Sequence, residues 1–215
     1  MNLRMAARPP VLLVNMCALL VGFAMFSNIL IATQMLQLPT STGFGAGMSV
    51  LKAGLWLMPI GLVSIALAPL AGRAIARFGA ARVLLVATSE LAAAFAARVP
   101  LSHEPWQILG GAILVSVGLA FILAAVPTLI MTMVPISESA SATTITALLQ
   151  STGTSTASAT MAATATIWTV SLGTQIYPAL TAFVTMFWLA SGTSGCAVVF
   201  ALLLAIRHQP TRSPA

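Results

Sequence analysis

From Val11 to Leu36 the chain runs for 26 residues without a charged side chain. As a helix this stretch would be roughly 39 Å long, more than the ~30 Å of a bilayer's hydrocarbon core. It is also far longer than the ~7–15-residue core of a signal peptide, so Arg4 and Arg8 read as the flank of a first spanning helix. Similar apolar stretches follow along the whole chain. The expected spans are approximately 11–36, 53–71, 81–99, 108–133, 142–168 and 179–206. The third is short, and Pro127 interrupts the fourth. Residues 1–10 and 207–215 are left as short polar ends. The expected fold is therefore all-α, six transmembrane helices in one bundle. A membrane barrel is a poor alternative, because its strands alternate apolar and polar residues over ~10 positions, and these runs are too long and apolar on all sides.

Composition agrees with a lipid environment. Of 215 residues, 59% are hydrophobic and only 6% charged, with a mean hydropathy of +1.04. A soluble domain carries about 25% charged residues, and this chain has too few to coat a water-exposed surface. The net charge of +6 comes from nine Lys and Arg, most of them between apolar stretches. They form no basic stripe interleaved with aromatics, so they read as topology signals rather than as a nucleic-acid surface. Cys17 and Cys196 lie within apolar segments, without metal or disulfide spacing, and read as small apolar fillers.

The cations are distributed unevenly. If every stretch crosses, Arg4, Arg8, Arg73, Arg77, Arg82, Arg207 and Arg212 fall on one side, and Lys52 and Arg98 on the other. Positive residues favour the cytoplasm. Both termini are expected there, in a multi-pass protein of the cell membrane. Trp56, Trp106, Trp168 and Tyr177 lie near predicted helix ends, where an interfacial belt or ordinary packing would account for them.

The fifth stretch is unusual. From Ser141 to Thr166, 13 of 26 residues are Ser or Thr and most of the others are Ala. Such a helix packs closely and satisfies its hydroxyls on neighbours or on its own backbone. Lining a water-filled cavity, or forming a soluble low-complexity linker, are the competing readings.

The segment between the second and third stretches reads Pro69-Leu-Ala-Gly-Arg-Ala-Ile-Ala-Arg-Phe-Gly-Ala-Ala-Arg82. It resembles the cytoplasmic loop signature of the major facilitator superfamily, with Gly72, Arg73, Arg77, Gly79 and Arg82 at matching or near-matching places. Ala76 stands where that signature has a carboxylate, so the charge latch which the carboxylate serves is missing. Further similarity lies in Gln34-Met-Leu-Gln37-Leu-Pro39, in Leu57-Met-Pro59-Ile-Gly61, in Val134-Pro135-Ile-Ser-Glu138 and in Leu148-Leu-Gln150-Ser-Thr-Gly153. Together these resemble the last six helices of the 14-span drug:proton antiporters. The resemblance implies one bundle, half of the major facilitator fold. It also implies proton-coupled efflux of drug-like molecules, with a second six-helix half or a homodimer needed for activity. Nothing in the chain resembles the N-terminal bundle, so a half-transporter from a truncated gene is the expectation. A non-transporting remnant or interaction subunit is the alternative.

Glu90 is the sharpest candidate for chemistry. It lies midway along its apolar stretch, where an ionised carboxylate costs at least ~2.5 kcal/mol. It is expected to be protonated, paired or facing a cavity, and is the candidate for proton coupling. A neutral acid hydrogen-bonded to a neighbouring helix is the structural alternative. Asn28, Gln34, Gln37 and Gln150 are candidates for a substrate cavity, with interhelical contact as the competing role. Gln34 and Gln37 share a helix face, and Gln150 forms a stripe with Thr146 and Thr154. Glu138, after Pro135, suits a helix N-terminus. His103 and His208 fall on opposite sides of the membrane. No metal cluster, catalytic constellation, P-loop or cofactor motif is present in the sequence, and no enzymatic activity is expected.

Overall fold

Proline and glycine set most of the breaks between helices in the computed structural model, which describes residues 9–102, 104–172 and 174–207. Arg4, Arg8, His103, His208, Arg212 and the tail 211–215 lie outside the described residues. Helix α1 spans Pro9–Gln37 and stops just before Pro39, whose ring disfavours helical backbone at Leu38. A single 3-10 turn, Thr40–Thr42, follows and ends at Gly43, φ 86°. Helix α2, Val50–Phe78, is capped by Ser49, whose hydroxyl accepts from the Lys52 amide at 3.4 Å. Helix α3 covers Ala80–Arg98. Helix α4, Pro105–Met133, opens with a capping box between Glu104 and Gln107 and with Pro105 in its first turn. Helix α5, Ile136–Ile167, carries Glu138 in its first turn, where a carboxylate complements the helix dipole. Helix α6 is Leu180–Arg207.

The second and third helices meet at one residue. Gly79 has φ 84°, a conformation that a side chain would oppose, and its amide closes α2 on Ile75 at 2.9 Å. The sequence reading placed Gly72, Arg73 and Arg77 in a loop. They lie instead in the last turns of α2, with Arg82 in the first turn of α3. The physical reason is the run Ala74-Ile75-Ala76-Arg77, made chiefly of good helix formers, with arginine suited to a helix C-terminus.

A short hairpin was not anticipated. Strands β1, Thr169–Leu172, and β2, Gln175–Pro178, pair antiparallel between α5 and α6, with Val170 opposite Tyr177. The fold remains overwhelmingly helical. Five helices are long and apolar enough to cross a membrane, α1, α2, α3, α4 and α6. The hydroxyl-rich α5 is not among them. This identifies a membrane-embedded, multi-pass protein.

Helix α1 is the centre of the bundle, packed against α4, α5 and α6, while α3 is held between α4 and α6. The α1–α5 crossing is parallel: Asn15 meets Thr146, and further along Gly22 meets Gln150. A Cβ on Gly22 or on Gly153 would overlap the partner helix's carbonyl oxygens, so glycine permits backbone-to-backbone approach there. The α3–α4 pair is antiparallel, with Glu90 beside Gly118 and Arg98 beside Gly111. Helices α1 and α6 are also antiparallel, the Cys17 thiol lying 3.6 Å from the Ala197 carbonyl and Phe44 meeting Phe183 edge to face.

Helix α2 is the exception to this packing. Only Ala53 and Ala71 are buried along its length, and Leu51, Leu55, Met58, Leu62 and Ile65 are exposed. On α5 the buried residues Thr146, Gly153, Ala157, Met161 and Thr164 form a single stripe towards the bundle. Its outward hydroxyls bond to the helix's own carbonyls: Thr152 to Leu148 at 2.9 Å, Thr156 to Thr152 at 2.9 Å and Thr160 to Thr156 at 2.7 Å.

Candidate functional site

The α3–α4 interface holds an acidic and a basic side chain, Glu90 and Arg98, inside the bundle. Glycine on α4 makes room for each. At one level Gly118 faces Glu90, and a Cβ on that glycine would overlap Glu90 Oε2. Both carboxylate oxygens are shielded and neither has a hydrogen-bond partner. Glu90 borders a cavity of about 500 Å³, whose other walls include Ala74 and Phe78 of α2, Val86 of α3, and Phe121 of α4. The accessible lining is apolar, and Arg82 stands at its edge on the same helix.

Two turns further along α3, Arg98 is 1% exposed. Its Nη1 donates to Asn28 Oδ1 of α1 at 2.6 Å. Its guanidinium carbon lies 4.6 Å from the ring centre of Phe187 on α6, a cation–π stack. Nε and Nη2 have no hydrogen-bond partner. Ser102 donates back to the Arg98 carbonyl and closes the end of α3. Asn28 completes the network, its Nδ2 donating to the Ala112 carbonyl at 3.2 Å and to Ser116 Oγ at 3.4 Å. Four helices thus converge on this arginine. Glu90 does not neutralise it, since its own oxygens are without partners. Glu104 is engaged in the α4 capping box and Glu138 begins α5.

The sequence candidates therefore separate. Asn28 is buried and fully occupied as a bridge between α1, α3 and α4, so it does not line an open cavity. Gln34 and Gln37 are half-buried at the end of α1, away from Glu90. Gln150 borders a smaller cavity of about 130 Å³ among α1, α4 and α5, and its amide lies 3.8 Å from Met25 Sδ. Thr146 lines the same space and donates to Asn15 Oδ1 at 2.8 Å. Gly72, Arg73, Arg77, Gly79 and Arg82 are all exposed at one end of the bundle, remote from Asn28 and the glutamines. The structure does not bring the four amide candidates together with Glu90.

Sequence reasoning missed Arg98, counting it with Lys52 as a cation on the far side of the membrane. Its partners are scattered along the chain at Asn28, Gly111 and Phe187. The only local signal was the pair of adjacent glycines at 110 and 111, which leave space at the facing helix. Among the described residues there is no group of His, Cys, Asp and Glu able to hold a metal ion. No protein-family model matches the chain, and no curated protein matches it.

Proposed function

We propose that this chain is a six-span membrane bundle that acts as one half of a proton-coupled carrier for apolar, drug-like molecules, with Glu90 as the proton-exchanging group. The observation carrying this reading is the unpartnered Glu90 carboxylate at a cavity of about 500 Å³ with apolar walls. An intramembrane carboxylate that faces a cavity is the ordinary means of coupling proton movement to a conformational change. The resemblance to the major facilitator superfamily in the α2–α3 segment points the same way, and the alanine at 76 weakens it.

Three further observations support the arrangement. The sixth span is α5, which runs parallel to α1, and its self-bonded hydroxyls lower the cost of placing it in lipid. Arg73, Arg77, Arg82 and Arg207 collect at one end, and with Arg98 buried only Lys52 remains as a described cation at the other. That imbalance favours cytoplasmic termini in the cell membrane. The nearly bare α2 face supplies an apolar surface for a second six-helix half or a second copy.

The test is export of a cationic dye driven by a proton gradient, in vesicles containing the chain with its second bundle or as a homodimer. Glu90→Gln is expected to abolish the dependence on the gradient while leaving the protein in the membrane. Unchanged gradient-driven export in that variant would remove Glu90 from the mechanism. The exposed α2 face also favours a second reading, a non-transporting subunit that docks another membrane protein. Loss of all export in every assembly, with stable association to a partner, would select it.

A further inference from the structure

Arg98 is oriented by three of its neighbours and left without a hydrogen-bond partner along one buried edge. Nη1 is tied to Asn28 at 2.6 Å, the plane lies on Phe187 at 4.6 Å, and Gly111 lets α4 pass close to the side-chain stem. The two nitrogens without partners are Nε and Nη2. These are not arbitrary atoms. Their N–H bonds run side by side along one edge of the guanidinium, the fork that matches the two oxygens of a carboxylate or phosphate. A buried cation of this kind is costly unless an anion compensates it, and none of the chain's three acids does so. Beside it, between the end of α3 and the first turns of α4, lies an open cleft of about 150 Å³. Arg98, Leu101, Trp106, Gln107, Gly110 and Gly111 are among its walls. That volume holds several water-sized groups, enough for the head of a small oxyanion.

We infer that this cleft is an oxyanion-binding site, in which the Nε–Nη2 edge of Arg98 takes a carboxylate or phosphate group side-on. The site is separate from Glu90, about 12 Å away along α3, and does not depend on the carrier reading. The same chemistry can come from a soluble carboxylate or inorganic phosphate, or from the phosphate of a lipid whose headgroup reaches the end of α3.

The experiment uses the full chain in a neutral detergent. Thermal unfolding is followed with acetate or inorganic phosphate against acetamide, the neutral isostere of acetate. Native mass spectrometry in parallel compares retention of phosphatidic acid with that of diacylglycerol, which lacks the phosphate. Arg98→Lys keeps a charge but loses the fork, and is expected to weaken binding by at least about tenfold. Gly110→Leu narrows the cleft at a position where an added Cβ meets nothing within 4 Å. It should fold as the parent does and lose binding, which keeps the test decisive if the arginine variant fails to fold. Stabilisation by acetate or phosphate, lost in Gly110→Leu, establishes a soluble anion as ligand. Retention of phosphatidic acid but not diacylglycerol, lost in the same variant, establishes a lipid headgroup. Equal responses to acetate and acetamide together with equal retention of both lipids overturn the inference, as does binding unaffected by Gly110→Leu.

Discussion

Replacing Gly153 by alanine should separate the two helices at the heart of the bundle. A Cβ at position 153 would stand 2.9 Å from the Phe23 nitrogen and 3.0 Å from the Leu19 carbonyl carbon, and closer still to the Leu19 oxygen. Comfortable heavy-atom contact begins near ~3.5 Å, and the Leu19 oxygen sets the requirement, so α1 and α5 must part by more than about 1 Å. The obstructing atoms are backbone and cannot rotate away, which places the cost at the upper end of over-packing, about 3 kcal/mol. Alanine recovers about 1 kcal/mol of helix propensity. The net loss is about 2 kcal/mol, close to thirtyfold in the folding equilibrium. Gly192→Ala on α6 is the matched control, because its Cβ meets nothing within 4 Å, and it should gain the propensity term alone. Reversible unfolding by denaturing detergent in mixed micelles measures both. If the two variants differ by less than about 0.5 kcal/mol, the close α1–α5 approach is refuted.

Other expectations follow from individual contacts. Thr146→Val removes the hydroxyl that bonds Asn15 at 2.8 Å and should cost about 0.6 kcal/mol, and at most about 1.7, in the same unfolding assay. Asn28→Ala deprives Arg98 of the acceptor at 2.6 Å. It is expected to cost about 1.5–3 kcal/mol as a hydrogen bond to a charged group, more than Ser116→Ala, whose hydroxyl is a secondary acceptor. A hydrophobic carbodiimide should modify Glu90 at its apolar cavity, giving a single adduct that Glu90→Gln eliminates. Modification of Glu104 in preference to Glu90 would contradict the cavity's accessibility.

Length and hydropathy made the helical content legible, because a run such as Val11–Leu36 has few alternatives once charge is absent. Helix ends were harder. The second helix continues past Ala71 to Phe78, since arginines that signal a loop by hydropathy are also good C-terminal helix residues. The hairpin at 169–178 had a local signal, β-branched and aromatic residues on either side of Gly173-Thr174. Two long apolar runs on either side mask it. Glu90 was visible because one carboxylate in an apolar stretch is conspicuous by itself. Arg98 was not, because a cation at the end of a helix normally snorkels to water. Its burial depends on Asn28 and Phe187, which only the tertiary fold brings to it. Of the two roles open to Asn28, cavity lining and interhelical contact, its bonds match the second: it holds this arginine.

The central claim is that α5 crosses the membrane although its hydropathy is too low to mark it as a span. A crossing puts the 169–178 hairpin outside the cell and returns the end of α6 to the cytoplasm. The direct measurement is labelling of Ser171→Cys, on the exposed side of β1, by a membrane-impermeant maleimide in a version lacking Cys17 and Cys196. Labelling in intact cells is the predicted result. Labelling only after the membrane is opened would mean that α5 does not cross, and would contradict the six-span bundle.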